Sequence, residues 1–231
     1  MESKSHKTAH PPKPPILPKK FAGRALPEPQ LVSYGRYSQL ALANDQLSGQ
    51  GAERLSFDQV QLKQVNLNGT ELAHAQFHDS RLTQCDLANA NWFQADFARV
   101  EVVGCRLTGF HTIEARLQDV LFKDCQAALA QFRYAVFKTA RFEQCDLSDA
   151  DFAGADLSGV VFLNCNLSGA EMSRAKLVGA DLRGCELNGL HAGWQELQGA
   201  IIDPSQALAL VEAFGIMVAQ PDLPETDEAG K

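Results

Sequence analysis

The chain has 231 residues, 28 acidic against 21 basic side chains, a formal charge of −7, and no stretch that approaches a membrane span. All ten prolines fall outside residues 30–203, no second periodic region exists, and the first thirty residues lack the apolar run of a secretory signal. The expectation is one elongated domain with flexible ends, in the cytoplasm, where the six cysteines stay reduced.

Residues 1–30 hold seven prolines and a net charge of +4. Such a segment offers little apolar surface to offset its ordering entropy, so a disordered Pro/Lys-rich tail with polyproline II stretches is expected. Residues 31–54 read as an N-terminal cap with a degenerate first coil. Leu40 with Leu42 and Asp45 with Leu47 keep a spacing of two, which Gln50 and Ala52 nearly lose. Tyr34, Tyr37 and Leu40 are candidates to cover the open end.

From 55 to 204 the pattern is strict. Of thirty positions taken every fifth residue from Phe57 to Ile202, twenty-three are Leu or Phe, and the residue two before is usually Ala, Val or Cys. A period of five fits neither an amphipathic helix nor an alternating strand; an internal repeat at fixed spacing points to a solenoid. The six cysteines, Cys85, Cys105, Cys125, Cys145, Cys165 and Cys185, recur every twenty residues, so four pentads make one coil with four sides. Coils stacked at about 4.8 Å would build a rod of roughly 36 Å around a Leu/Phe column.

After Ile202, Asp203-Pro204-Ser205-Gln206 supplies a helix N-cap, a proline at the first helical position and a Gln three beyond the cap. A capping and dimerisation helix over 205–220 follows, in which Leu208, Leu210, Val211 and Phe214 form the dimer interface. Gly215 suits the helix C-terminus, Ile216-Met217-Val218 could add a short strand, and 221–231 is an acidic disordered tail.

The residues resemble the pentapeptide-repeat family, whose unit is a small residue, Asp or Asn, Leu or Phe and two variable positions. The resemblance implies an all-β fold, a right-handed quadrilateral parallel β-helix of about 7 to 8 coils with a short C-terminal helix. The ending, Asp203, Gln206, Ala207, Leu208, Leu210, Gly215 and Ile216, is similar to the cap of the fluoroquinolone-resistance branch. That likeness implies a homodimer acting as a DNA mimic on a type II topoisomerase, DNA gyrase, and protecting it from a drug or toxin. The loops that interrupt the coils in some resistance proteins are absent.

No catalytic, cofactor-binding or metal-binding set is expected. Cysteines twenty apart do not have zinc-ligand spacing, His74 and His78 do not stack, and His111 and His191 stand four coils apart. Charge is more informative. Residues 55–142 are neutral, whereas 143–203 carry ten acids and three bases. That net −7 lies over about 14 Å of rod, a length of duplex bearing about eight phosphate charges. The expected partner-binding acidic face is Asp146, Asp149, Asp151, Asp156, Glu171, Asp181 and Glu186, with no direct nucleic-acid binding by the array and no membrane contact. Asp151 and Glu171, twenty apart, are expected to repel as stacked like charges.

The alternative is a scaffolding protein for another partner, its acids only the solvated preference of the repeat. A third reading has the basic tail bind nucleic acid or a proline-recognising domain. Phe93 and Ile113 form a small outward patch, for which a cover by the N-terminal segment ranks first, a register shift near Trp92 and Thr112 second and a partner-binding site third.

Overall fold

Each pentad makes one side of a coil because its central residue and the residue two before it point inward and its other side chains point out. The computed structural model describes residues 10–23, 30–214 and 216–218. Its strands are β1 (Arg36–Ser38), β2 (Ala41–Ala43), β3 (Ser56–Asp58), β4 (Gln61–Lys63), β5 (Gln76–Thr83), β6 (Asp96–Val103), β7 (Arg116–Lys123), β8 (Val136–Glu143) and β9 (Val161–Leu163), followed by helix α1 (Pro204–Ala213). Every strand pairs parallel with the strand one coil away, in a register of twenty: Tyr37 with Phe57, Phe57 with Phe77, Phe97 with Leu117, Phe142 with Phe162.

The turn between sides has a requirement of its own. In many pentads the N–H three residues after the centre donates to the central carbonyl, as Ala90 does to Leu87 at 3.1 Å. The residue between them in sequence, Asn89, has φ 55°, as do its counterparts Gln94 at 54° and Asp149 at 54°. A β-turn with positive φ at its third residue is of the type II kind, in which Gly or Asn is least strained. Gly69, Gly109 and Gly154 meet that preference, while Gln94, Leu129 and Tyr134 adopt the same φ with larger side chains.

The fold is the expected quadrilateral parallel β-helix with one short C-terminal helix, and the count of coils is slightly smaller. Regular strand pairing on the face begun by β1 runs through six turns, β1, β3, β5, β6, β7 and β8. Beyond β8 this face is held by single bridges, Val136 to Asp156 and Asp156 to Lys176. No shift occurs at Trp92 or Thr112, since Asn91, His111 and Gln131 bridge in the same register as the rest.

The interior is filled. Phe122, Phe142 and Phe162 stack with ring centroids 4.7 and 5.1 Å apart, and Phe57 and Phe77 stack at 4.7 Å. Trp92 fits at a central position because its Nε1 donates to the buried Thr70 hydroxyl at 3.0 Å, which in turn donates a hydrogen bond to the Leu67 carbonyl at 2.8 Å. All six cysteines are buried and free. The Cys125 thiol points at the carbonyls of Val102, 3.4 Å, and Lys123, 3.3 Å, a contact that Ala could not make. The neighbouring thiol, with burial, pushes Cys145 and Cys165 each up to about 12.

The N-terminal end departs from expectation, and the C-terminal cap does not. Residues 36–38 and 41–43 are already in register with the second coil, so this part of 31–54 is regular array. Tyr37 and Leu40 belong to the core, whereas Tyr34 is 68% exposed. At the other end Asp203 and Gln206 form the expected reciprocal cap: Asp203 Oδ1 accepts from the Gln206 N–H at 3.1 Å, and Gln206 Oε1 accepts from the Asp203 N–H at 2.9 Å.

Residues 10–23, expected to be disordered, lie along the outside of the β-helix. The Lys13 N–H donates to Asp119 at 3.2 Å, the Ile16 N–H to Asp79 at 2.9 Å, and Ala41 N–H to the Gly23 carbonyl at 3.0 Å. Five prolines between 11 and 18 restrict both their own φ and the residues before them, so the chain loses less entropy on docking than a tail of ordinary composition. Residues 1–9, 24–29 and 219–231, and Gly215, fall outside the described set, so their expected structure is not addressed by it.

Candidate interaction surface

Outward side chains twenty residues apart form columns along the rod. Among the acids expected to make one face, Asp146 and Glu186 lie in one column with Asn166 between them, and Asp151 bridges Glu171 in the next. Asp156 pairs with Lys176 in a third, Asp181 lies in the fourth, and Asp149 occupies a turn beside Gly169. The seven surround the rod. Position along the chain sets which coil a residue joins, whereas position within the twenty sets its face, and the count of acids ignored the second.

Most of these carboxylates cap their own turn. Asp146 accepts from the Ser148 N–H at 3.1 Å, Asp151 from Ala153 at 2.8 Å, Asp156 from Ser158 at 3.1 Å and Glu171 from Ser173 at 2.7 Å. The N–H two residues on is the usual partner of a short acidic side chain in a turn, which is why the repeat takes Asp or Asn before its centre. Arg183 grips Asp181 through Nε at 2.8 Å and Nη2 at 2.6 Å and holds its carboxyl below the usual range. The Ser158 contact, with Lys176 nearby, does the same for Asp156.

The Asp151–Glu171 stack carries its own compensation. Arg133 Nε lies 3.5 Å from Asp151 Oδ2, and His191 bridges the other side of Glu171. Although burial opposes ionisation of Glu171, the Ser173 hydrogen bonds, His191 and Arg133 together hold its pKa below the ordinary value. A lowered pKa means that the fold favours the charged form, contrary to the repulsion expected from the spacing alone. The opposite pairs are in register as expected, Asp96 with Arg116 and Asp156 with Lys176, the latter 3.6 Å apart.

The residues assigned to a dimer contact divide. Leu210 packs on the core at 9% exposure, Val211 is half-buried, and Leu208 and Phe214 are 50% and 43% exposed. Leu210 therefore closes the last coil instead of facing outward. Ile216, Met217 and Val218 carry no strand and extend the exposed apolar group. Phe93 and Ile113 are both half-buried, with His74 edge-on to Phe93 at 6.2 Å. The described N-terminal residues are held elsewhere, with Lys13 and Ile16 on the corner of Asp119 and Asp79.

An open groove of about 780 Å³ on the N-terminal coils is bordered by Tyr34, Arg54, Asp58, His74, His78 and Arg116. Its charges are mixed, and it lies away from the acidic half. Among the described residues no three His, Cys, Asp or Glu side chains gather as a metal site, and no helix is long and apolar enough to cross a membrane.

Coils of four five-residue sides, stacked in register around a Leu/Phe column, define a class of parallel β-solenoids whose working parts are lateral surfaces and ends. The sequence comparison agrees: a model described as pentapeptide repeats matches residues 56–91 and 145–184, and one described as a pentapeptide repeat region matches 75–140. The chain belongs to the pentapeptide-repeat family. Among solved structures it is similar to full-length QnrB1, a plasmid-mediated fluoroquinolone resistance protein, at 24% identity over 79% of this chain and 100% of that one, TM-score 0.35. It is also similar to HetL, a pentapeptide-repeat protein involved in heterocyst differentiation regulation in the cyanobacterium Nostoc sp. strain PCC 7120, at 22% identity over 76% and 92%, TM-score 0.29. No curated protein matches the chain.

Proposed function

We propose that this chain is a non-enzymatic binding protein, a rod whose C-terminal coils offer a basic protein surface the charge of a short duplex. The observation that carries this reading is the net −7 of residues 143–203, next to a neutral stretch over 55–142. Distribution around the rod suits a duplex mimic, since phosphates also surround their axis. The partner class that fits is a DNA-binding saddle, with a type II topoisomerase, DNA gyrase, as the specific candidate and protection from a quinolone or toxin as the role.

A second reading, a scaffold for another protein, is favoured by the turn-capping work of the same acids. Gyrase supercoiling titrated with this protein, with and without a quinolone, separates the two. The mimic relieves quinolone inhibition or slows supercoiling in a dose-dependent way; no effect on either reaction leaves the scaffold.

A further inference from the structure

The docked N-terminal segment has a period. Between 10 and 19 its non-proline residues include His10, Lys13, Ile16 and Lys19, three apart, with prolines at 11, 12, 14, 15 and 18. Polyproline II has three residues per turn, so these four share one edge of the helix and Pro12, Pro15 and Pro18 share another. Those three prolines are half-buried against the rod, while Pro11 and Pro14 are exposed. Pro11, Pro12 and Pro14 border a cavity of about 100 Å³ with Val100, Leu121 and Arg141.

The acceptors have a matching period. Asp79 and Asp119 stand forty residues apart, two coils, on one column of turns, and both are buried, at 7% and 6% exposure. Two coils rise about 9.6 Å, and three residues of polyproline II rise about 9.3 Å. Successive free N–H groups therefore meet successive carboxylates: Lys13 to Asp119 at 3.2 Å, Ile16 to Asp79 at 2.9 Å. Between the two carboxylates Arg99 fixes Asp79 through two hydrogen bonds of 2.6 Å, and Gln59 Nε2 donates to the Ile16 carbonyl at 3.1 Å. The contacts are to backbone, and the Lys13 and Ile16 side chains face solvent.

We infer that the corner from Asp119 to Asp79 is a binding site for polyproline II peptides with a non-proline N–H every third residue, and that residues 10–18 are its resident ligand. Recognition is of backbone period and ring shape, so a partner's X-Pro-Pro-X segment fits where the chain's own segment leaves. In cis that segment is present at an effective concentration on the order of millimolar, which sets the affinity a competitor must exceed.

The test uses the full chain. Lys13→Pro with Ile16→Pro keeps the polyproline II shape and removes both donors, so the resident segment should release. A fluorescent peptide of residues 8–20 should then bind this variant at least tenfold more tightly than it binds the wild type. Adding Asp119→Ala should reverse the gain, and a peptide of the same composition with the three-residue spacing scrambled should not bind. Circular dichroism checks that each variant is folded. In the wild type, the Lys13 and Ile16 amides should exchange with solvent at least tenfold more slowly than in the free peptide. Unprotected amides, or equal binding of native and scrambled peptides, would overturn the site.

Discussion

Gln206 closes the β-helix by donating its side-chain amide to the carbonyl of Leu182 at 2.7 Å; the same nitrogen reaches Cys185 O at 2.8 Å. The Leu182 carbonyl also accepts the Cys185 N–H of its own turn at 3.1 Å, whereas the Cys carbonyls of earlier coils are taken by the next coil, as Cys165 O is by the Glu186 N–H. The Cys185 carbonyl is therefore the one that depends on Gln206, and a buried carbonyl left alone costs about 1–3 kcal/mol. Gln206→Leu should therefore lower unfolding stability by about that amount, measured in urea, while the β-sheet signal of the remaining coils persists. A loss below about 0.5 kcal/mol would show that water serves the end equally well.

Core centres should dominate stability. Phe142 is enclosed by the rings of Phe122 and Phe162, and Phe142→Ala should cost about 3–5 kcal/mol. Cys145→Ala removes only a thiol and its contacts to Phe122 O and Glu143 O, and should cost about 1 kcal/mol with the fold retained. Urea unfolding of the two variants checks the order; equal costs would place the wrong residue at the centre of the coil.

Docking of the N-terminal segment should respond to acid. Arg99 first, then the Ile16 N–H, holds the Asp79 carboxyl below its ordinary value against its burial. A lowered folded pKa gives a contribution that is full above the unfolded value, about 3.9, and is lost as pH falls through the folded one. The stability difference between wild type and Asp79→Asn should thus be constant above about pH 5 and shrink below about pH 4. A difference that instead changes between pH 6 and 8 would assign it to another group.

The C-terminal end should divide by burial. Leu208 and Phe214 are exposed beside Ile216 and Met217, the latter 95% exposed, and we propose that a second copy covers them. Phe214→Asp should yield folded monomers in sedimentation, whereas Leu210→Asp should loosen the helix from the last coil. A wild type already monomeric at micromolar concentration removes the dimer.

Period, coil size and cap were readable in the sequence because each rests on a short rule: five residues per side, twenty per coil, Asp203 with Gln206 across three. The docked segment was not, although its own period of three was present in His10, Lys13, Ile16 and Lys19. Its meaning depends on the distance between coils, which no local pattern contains. Composition also misled, since counting apolar residues overlooks the stiffness that proline supplies. The acidic set failed differently: net charge along the chain said nothing of face, and only the columns separated Asp146 and Glu186 from Asp151 and Glu171. The apolar residues of the helix look alike in sequence, and only burial tells Leu210, turned to the array, from Leu208.

The most direct test of the charge-mimic account is the salt dependence of binding between this protein and purified gyrase, compared with Asp151→Asn plus Glu171→Gln. Both substitutions keep an acceptor oxygen for the turn N–H groups of Ala153 and Ser173, so stability should stay within about 0.5 kcal/mol of wild type. Wild-type affinity should fall steeply as salt rises, and the double variant should bind more weakly with a shallower slope, because fewer charge contacts remain. Equal affinity of the two proteins at every salt concentration would contradict the account and leave these carboxylates as caps of their own turns.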